Sequence, residues 1–506
     1  MNNLLRKYWY VLCVLPYLGF WTYGLTDLDE GFYGAVTMDM LRLHDWVTPT
    51  LNGVPWFEKP ILAYWLSMPF VSLIPNEFGA RLPSFLCTVA TIWIIYRFVK
   101  KQLNEETAIA SALIYSTSLL VVAIGRMMMT DAPLVLCLTV AFTTFFESIR
   151  GNQKLRFLTA ASLGFAVLAK GPVALILFGL IGIFAFWRLP ETRPNWIRYW
   201  LTGTLLLVAI IATWYVPCYL ANGQSFIDKF LIEQNIGRFK GGDTAHTVPI
   251  WANPIFYPAV LLISTLPWIA GAIKSKFWQT TNTDQSKNPL LTYLLIWFLV
   301  VLGFFTISGT KLVHYILPAI PPLSILIANA LLARHPRFSN PLSNPAIKSD
   351  KSGQQSFPPQ GVGSVVADGN REGLTKIITR TAITSITTLA IAQYAFYTDW
   401  SNRFKDVQSF AIEAREKDLK LYDYNLGRDP GVGSNIKTTL DDTSHPSLGF
   451  YYRKPILESQ NNGEPNSIFI GKKDSFLNAV VASSTDQIST FVDRGKYTAR
   501  INEPKN

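Results

Sequence analysis

An acidic group stands where the first long apolar run of this chain ends. Asp27, Asp29 and Glu30 occupy three of four consecutive positions there. An amphipathic helix is predicted to follow over residues 32–43, which places Asp29 at a helix start. A helix N-terminus needs one such oxygen, because a cap satisfies only one or two free backbone amides. The surplus acid makes Asp29 a candidate for chemistry as well as for capping.

Two further groups lie at comparable positions along the chain. Glu58 and Lys59 lie in the stretch 52–60, a proline-bounded turn that also contains Trp56 and Phe57. Partial dehydration of this turn strengthens the electrostatic interactions of its charged side chains, so the lysine can bind one lipid phosphate. A solvated ion pair of little energetic value is the alternative. Asp131 is expected to open a helix on the same membrane face as Asp29, and two carboxylates on one face could supply a base or a metal ligand.

A fourth group is spread over later loops. It contains Glu233, Arg238, His246, Lys311 and Tyr315. Lys311 and Tyr315 are four residues apart and are predicted to share one helical face, which suits phosphate binding, with snorkelling to the interface as the alternative. His246 is either a solvated loop residue or a metal ligand.

The amino-acid composition indicates which solvent surrounds these groups. Of 506 residues, 49% are apolar and 13% aromatic, whereas only 16% are charged. A disordered or water-soluble protein would carry more charge, so lipid is expected to be the main solvent. The net charge of +11 is dispersed between apolar stretches and forms no basic face, which excludes nucleic-acid binding. The four cysteines are too far apart for a metal or redox motif.

Apolar runs predict a multi-span α-helical integral membrane protein with about eleven spans. The runs lie near 8–25, 83–99, 108–124, 131–148, 156–169, 171–187, 199–219, 254–273, 289–307, 312–332 and 374–397. Lysines and arginines collect in alternate loops, so the N-terminus is expected in the cytoplasm and the acidic groups on the outer face. This assignment requires that the run 61–74 does not cross and forms an interfacial or re-entrant helix.

The chain divides into four predicted parts. Residues 1–335 form a membrane catalytic domain of about ten spans, with interfacial surface juxtamembrane helices within 26–82. Residues 336–373 are too polar to pack a core and form a disordered cytoplasmic linker. Residues 374–397 make the last span, and 398–506 form a small extracytoplasmic α/β domain. In that domain, apolar strings at 419–422, 448–452 and 468–470 alternate with helix-like stretches at 405–417 and 474–482.

A set of motifs in residues 5–335 resembles a known family. In order, they are Asp29-Glu30 with Tyr33, Asp45-Trp46, Leu51 to Pro60, Ala80 to Ser84, Asp131-Ala-Pro133, Lys170-Gly-Pro172, Asn235 to Phe239, His246, Pro267-Trp268 and Lys311 to Pro318. The pattern resembles the bacterial polyprenyl-phosphate-sugar-dependent glycosyltransferases of the GT-C fold, the group of the aminoarabinose transferases and protein O-mannosyltransferases (family 39/83 type). The run Asn-Gly-Val-Pro-x-x-Glu-Lys-Pro is the most specific element. Ile61 stands where the family usually has a second proline.

The resemblance implies a membrane glycosyltransferase that moves a sugar from a polyprenyl-phosphate donor to a glycolipid or other envelope glycan. The resemblance implies that the catalytic residues are Asp29, Asp131 and Glu30. It implies that the donor phosphate is bound by Lys59, Arg238, Tyr315, Lys311 and Lys170. It further implies a divalent metal (Zn, Mg or Mn) with Glu58 and His246 as ligands, and no nucleotide cofactor. Protein Ser/Thr as acceptor remains an alternative. A lipid or sugar transporter is disfavoured, because midplane charges and inverted repeats are not visible.

Overall fold

The computed structural model describes residues 3–26, 29–195, 197–241, 248–274, 288–332, 363–423, 445, 447–458, 467–472, 489–494 and 497–502. Its membrane part consists of helices α1 Asn3–Val14, α2 Asp29–Leu43, α3 Leu62–Leu73, α4 Glu77–Gln102, α5 Glu105–Ser116, α6 Leu119–Gly125, α7 Asp131–Ile149, α8 Leu155–Lys170, α9 Val173–Arg188, α10 Ile197–Asn222, α11 Gln224–Phe226, α12 Arg238–Lys240, α13 Asn253–Lys274, α14 Pro289–Ile307, α15 Ile320–Leu332 and α16 Gly363–Arg403. A π-helix, Ile227–Gly237, joins α11 to α12, and a 3-10 helix, Val313–Ala319, leads into α15. A two-stranded hairpin pairs β1 Thr50–Leu51 with β2 Val54–Pro55.

Six stretches of the described residues are helical, long and apolar enough to cross a membrane. They are Glu77–Gln102, Asp131–Ile149, Gly203–Asn222, Asn253–Ile273, Pro289–Ile307 and Val313–Leu332; α5 and α6 would add a seventh if they count as one span bent by 65°. The other predicted runs correspond to shorter helices, α1, α8 and α9, and to part of α16. The chain is therefore multi-spanning as predicted, while eleven crossings stay a prediction.

Sequence-encoded caps begin several of these helices. Asn76 accepts hydrogen bonds from the backbone amides of Phe78 and Gly79 at the start of α4, and Asn104 accepts one from Thr107 in α5. Asn288 does the same for Leu290 in α14. These side chains satisfy amides that have no partner inside the helix, and they mark the points where loops end.

The C-terminal residues form the predicted small α/β domain. It consists of α17 Lys405–Glu416, β3 Lys420–Asp423, α18 Leu448–Tyr452, β4 Leu457–Glu458, β5 Ser467–Lys472, β6 Ser489–Arg494 and β7 Tyr497–Asn502. The sheet order is β4-β3-β5-β7-β6; β3 pairs in parallel with β4 and β5, and β7 pairs antiparallel with β5 and β6. The apolar string at 448–452 is a helix and not a strand, and the predicted helix 474–482 lies outside the described residues.

This domain packs against α2 and buries additional side chains of that helix. Phe450 of α18 approaches Gly34, whose missing side chain leaves room for it, since an added Cβ would lie 3.3 Å from the Phe450 ring. Every α2 residue from Glu30 to Met40 is buried. Burial therefore extends beyond the apolar face predicted for this helix, because the C-terminal domain packs against α2 as well.

The predicted linker is shorter than the sequence indicated. Helix α16 begins at Gly363, so residues 363–373 are helical. Residues 336–362 lie outside the described part of the chain. The apolar run 374–397 is thus the later portion of one long helix.

Candidate active site

Glu30 is the centre of a buried ion pair. Both its carboxylate and the Arg81 guanidinium are fully buried, and Arg81 Nε donates to Glu30 Oε1 at 2.6 Å while Nη2 donates to Oε2 at 2.7 Å. The backbone amides of Thr26 and Met128 donate to the same carboxylate, each at 2.8 Å. Burial opposes ionisation, but the charge and hydrogen bonds of Arg81 prevail and hold the pKa of Glu30 below its ordinary value. Both carboxylate oxygens accept hydrogen bonds, which gives Glu30 a structural role in the ion pair, and a catalytic role for it stays a prediction.

This ion pair fixes the loop that precedes α2. The remaining Arg81 donors reach the carbonyls of Phe20, Tyr23 and Gly24 at 2.7 to 2.8 Å. A second arginine, Arg126, donates to carbonyls of the same loop at Leu18 and Gly19. Because Glu30 binds Met128 as well, one network orients both Asp29, beside Glu30, and the start of α7 at Asp131.

Asp131 faces a cation and a histidine. Its Oδ1 accepts a hydrogen bond from Lys170 Nζ at 2.5 Å, and its Oδ2 lies 3.9 Å from His314 Nε2. Lys170 Nζ also lies 4.4 Å from the centre of the Tyr315 ring. The N-terminus of α7, the C-terminus of α8 and the 3-10 helix before α15 therefore meet at one point.

Lys170 is placed by the turn that follows it. Helix α8 ends at Lys170 and α9 begins at Val173, as the predicted hairpin requires. Gly171 between them has φ +82°, and a Cβ on it would lie 2.9 Å from Asn235 Oδ1 of the π-helix. Only glycine fits this turn without strain, because the left-handed region and the close neighbour both exclude a side chain.

A second group of charged site residues consists of Glu58, Lys59 and Arg238. Arg238 Nη2 donates to Glu58 Oε2 at 3.3 Å, and Lys59 is only 8% exposed. Burial, assisted by the nearby Arg238 charge, lowers the pKa of Lys59 to about 8, although Glu58 and Asp29 act in the opposite direction. Lys59 is therefore a desolvated cation next to two other cations, Arg238 and Lys170.

Three tyrosines lie near the charged residues of the site. Tyr33 and Tyr64 are buried, their rings lie 6.3 Å apart, and both feel the charges of Asp29 and Glu58. Tyr315 lies close to Arg238. Asp29, Glu58, Lys59, Asp131, Lys170, Arg238 and Tyr315 are thus brought into one cluster, as their predicted common role requires.

Three buried polar atoms of this cluster make no hydrogen bond within the described residues. They are Asp131 Oδ2, Tyr64 Oη and Arg238 Nε. Buried polar groups are nearly always paired, because an unpaired one costs about 1–3 kcal/mol. Orphaned atoms that share one cluster indicate a binding site for a polar ligand.

Lys311 lies just after the C-terminus of α14. Its Nζ donates to the carbonyls of Phe305 and Thr306 at 2.9 Å each and to that of Ser308, so it caps the C-terminus of α14. It precedes the 3-10 helix at Val313 and shares no helical face with Tyr315. Helix-end carbonyls close to it in sequence occupy the Lys311 ammonium, and its role at the donor phosphate stays a prediction.

Of the two predicted metal ligands, Glu58 lies within the described residues. Glu58 Oε1 has no hydrogen-bond partner among the described residues, and the side chain is 21% exposed, which suits one ligand. His246 lies outside the described residues. Within the described residues, no group of three or more His, Cys, Asp or Glu side chains could hold an ion. A metal at Glu58 thus depends on His246 and stays a prediction.

Several residues that build the site were not assigned to it from the sequence. Arg81 and His314 lie inside recognised motifs, but nothing in their spacing indicates that they meet Glu30 and Asp131. Tyr64 has no sequence signal at all, since it lies in an apolar run. Long-range partners of this kind become visible only in the folded chain.

The chain is similar in sequence to several known proteins. The family described as dolichyl-phosphate-mannose-protein mannosyltransferase matches residues 58–216. A protein of Aquifex aeolicus is 35% identical over 323 residues, covering 63% of this chain and 71% of its own length. Two undecaprenyl phosphate-alpha-4-amino-4-deoxy-L-arabinose arabinosyl transferases, from Shewanella sediminis and Pseudomonas fluorescens, are 32% and 31% identical over 61% and 62% of this chain. The matches span only 57% and 53% of those two transferases.

Solved structures of similar fold extend over nearly the whole chain. ArnT from Cupriavidus metallidurans, bound to undecaprenyl phosphate, aligns with a TM-score of 0.70 at 19% identity, covering 98% of this chain and 97% of ArnT. The oligosaccharyltransferase of Archaeoglobus fulgidus aligns with a TM-score of 0.53 at 13% identity, covering 91% of this chain and 65% of that enzyme. The predicted fold class is confirmed.

Proposed function

The chain belongs to the membrane glycosyltransferases of the GT-C fold, and we propose that it transfers a sugar from a polyprenyl-phosphate donor to a glycolipid or other envelope glycan. The single observation that carries this proposal is the cluster of Lys59, Lys170 and Arg238 at the ends of helices. A lipid phosphate must stay at the membrane surface while its sugar reacts. Partly dehydrated cations at helix ends meet that need.

The three cations differ in how much charge they can offer a phosphate. Asp131 neutralises Lys170, and Glu58 partly neutralises Arg238. Lys59 has no ion pair within 4.0 Å among the described residues, and its side chain is buried. Lys59 is therefore the principal phosphate ligand, with Arg238 and the Tyr315 hydroxyl supporting it.

In the reaction, the bond between sugar C1 and the phosphate oxygen breaks, and its electron pair stays on the phosphate. Lys59 and Arg238 stabilise the charge that develops there, and this is worth most where water is excluded. An acceptor hydroxyl forms the new bond to C1 and gives its proton to Asp29, which is partly exposed. Were the acceptor itself a phosphate, no base would be required and Asp29 would only orient it.

The proposed site faces the extracytoplasmic side of the inner (plasma) membrane, with the N-terminus in the cytoplasm. Lysine and arginine clusters in the α4–α5, α7–α8 and α9–α10 connections support this orientation. The site lies at the opposite ends of α7, α8 and α9 from the last two of these connections. The C-terminal domain, which contacts α2, would then be extracytoplasmic too.

We propose a divalent cation as a separate feature, held by Glu58 and His246. Such an ion would supply positive charge beside the leaving phosphate. Metal content of the purified protein, measured by mass spectrometry, should fall on Glu58→Gln and should stay unchanged on Glu105→Gln, a surface control paired with Lys100. Equal metal content in all three proteins would remove the ion from the proposal.

Purified protein incubated with polyprenyl-phosphate sugars tests the function. Mass spectrometry should find the sugar added to glycolipid, with release of polyprenyl phosphate. Sugar on Ser or Thr of an acceptor protein would favour the protein O-glycosyltransferase. Uptake of a lipid-linked sugar into vesicles without bond cleavage would favour the transporter and contradict the proposal.

A further inference from the structure

The side chains of Asp131 and His314 face each other across a gap of 3.9 Å between Oδ2 and Nε2. Asp131 is 1% exposed and its Oδ2 is buried without a hydrogen bond, while His314, 13% exposed, places Nε2 at 3.9 Å from that oxygen. This separation is too long for a hydrogen bond. Lys170 already occupies Oδ1, so Oδ2 is the oxygen left for a ligand.

The two atoms are spaced to share one small polar group. An oxygen about 2.8 Å from each of them would make two ordinary hydrogen bonds at once. The His314 ring stands edge-on to Tyr315, with centroids 5.1 Å apart and planes at 77°, which holds its orientation. The tautomer with the proton on Nε2 avoids placing a lone pair opposite the carboxylate. Nε2 then donates, and Asp131 Oδ2 accepts.

A hydroxyl is the group that completes this arrangement. It can accept from His314 and donate to Asp131 at the same time. With Nε2 protonated, the pair offers one donor and one acceptor to the bound group, which a single hydroxyl oxygen satisfies.

The donor sugar is the nearest source of such a hydroxyl. Charges of Lys59, Lys170 and Asp29 all act on His314, so the gap lies beside the proposed phosphate site. A sugar bonded to that phosphate has hydroxyls within a few bonds of it. We propose that His314 Nε2 and Asp131 Oδ2 bind one hydroxyl of the transferred sugar.

This inference rests on the proposed donor, and a binding experiment tests it without turnover. The ligands are a short-chain polyprenyl phosphate, its mannosyl and glucosyl esters, and its 4-amino-4-deoxyarabinosyl ester. Affinities are measured by calorimetry in detergent for wild type, His314→Ala, His314→Gln and the control His44→Asn. His44 is exposed and has φ +54°, a conformation that asparagine tolerates.

Wild type should bind at least one neutral sugar ester about tenfold more tightly than the bare phosphate. His314→Ala should reduce that preference to about twofold or less while leaving the Kd of the bare phosphate unchanged. His314→Gln should keep part of it, because its amide donates, and His44→Asn should behave as wild type. Esters of the preferred sugar that each lack one hydroxyl then identify the hydroxyl that is bound. Removing that hydroxyl should abolish the preference of wild type for the ester over the bare phosphate and should not weaken binding to His314→Ala any further.

Two results would overturn the inference. One is a sugar preference that His314→Ala leaves intact, and the other is an equal loss of affinity for esters and bare phosphate, which a structural role would produce. An amino-sugar ester that binds wild type more tightly than every neutral ester and loses this advantage in His314→Ala would also contradict it, because the pair would then bind an ammonium. If none of these lipids binds, the proposed function itself fails, and that outcome is distinct from the others.

Discussion

At the scale of single residues, the adjacent acids Asp29 and Glu30 have different roles in the site. Asp29 is partly exposed beside Lys59 and Tyr64, whereas Glu30 is fully buried against Arg81. A helix turns about 100° per residue, so adjacent acids at its start point in different directions. Two substitutions that each remove one carboxylate charge should therefore have opposite consequences.

Asp29→Asn should abolish transfer and leave the melting temperature nearly unchanged. Removing a general base typically costs about 10²-fold or more in rate. Steady-state transfer rates and thermal unfolding in detergent measure the two effects. A variant that keeps half of the wild-type rate would contradict the role of Asp29.

Glu30→Gln should instead destabilise the protein. It leaves the buried Arg81 without a counter-charge, which typically costs about 3–5 kcal/mol. The midpoint of thermal unfolding should fall markedly, and any folded fraction should retain near-normal KM for the donor. A stable Glu30→Gln protein that is inactive would establish Glu30 as a catalytic residue.

Lys59 should impose a pH limit on donor use. Its pKa of about 8 in the free protein means that the ammonium is present below pH 8 and is lost above it. We expect kcat/KM for the donor to fall as the pH rises through about 8, because this parameter reports the free enzyme. Lys59→Arg should flatten the profile to pH 10 at a lower plateau, since a guanidinium stays charged but fills the turn differently. A wild-type profile that is flat to pH 10 would remove Lys59 from phosphate binding.

At the scale of elements, helix ends and turns carry the site. The α8–α9 turn presents Lys170, and the loop at 309–310 holds the Arg238 segment, with Gly309 N donating to Phe239 O and Thr310 Oγ1 to Arg238 O, both at 2.8 Å. Lys311 closes the end of α14 next to that loop. Geometry of the cations thus depends on backbone conformations some distance from the reacting atoms.

Gly171→Ala tests this dependence. A Cβ there meets Asn235 Oδ1 and requires an unfavourable φ, so we expect about 1–2 kcal/mol lower stability and at least a tenfold lower kcat/KM through displacement of Lys170. The control is Gly151→Ala, which also has a positive φ, +123°, but whose Cβ would meet nothing within 4 Å. Equal kinetics in the two variants would mean that backbone strain alone matters and that contact with the π-helix does not position Lys170.

At the scale of the whole molecule, the C-terminal domain is docked onto the surface elements next to the site. The Tyr451 hydroxyl accepts from the Leu25 amide at 2.8 Å and donates to Glu77 Oε1 at 2.7 Å, while Asn52 exchanges two hydrogen bonds with the backbone of Ile456. Gln408 donates to Leu25 O at 2.7 Å. These contacts place the domain on the same side of the molecule as Asp29.

Cysteine labelling should establish which membrane face that side occupies. In a background without native cysteines, a cysteine at Glu416, exposed in the C-terminal domain, should react with an impermeant thiol reagent in intact cells. One at Asn152, exposed between α7 and α8, should react only after permeabilisation. The reverse pattern would invert the molecule and place the proposed site in the cytoplasm.

The sequence by itself determined the helical membrane architecture and the positions of the charged groups along the chain. Apolar runs of membrane length and acids at helix starts depend on neighbours in sequence, so α7 at Asp131 and the α8–α9 turn were predictable. The tertiary structure alone decided which charges are free for a ligand. Glu30 and Lys311 look as suitable as Asp29 and Lys59 in sequence, but Arg81 occupies Glu30 and the end of α14 occupies Lys311. Partners 51 residues apart, such as Glu30 and Arg81, leave no periodic trace, because an ion pair depends on distance in space and not on spacing in the chain.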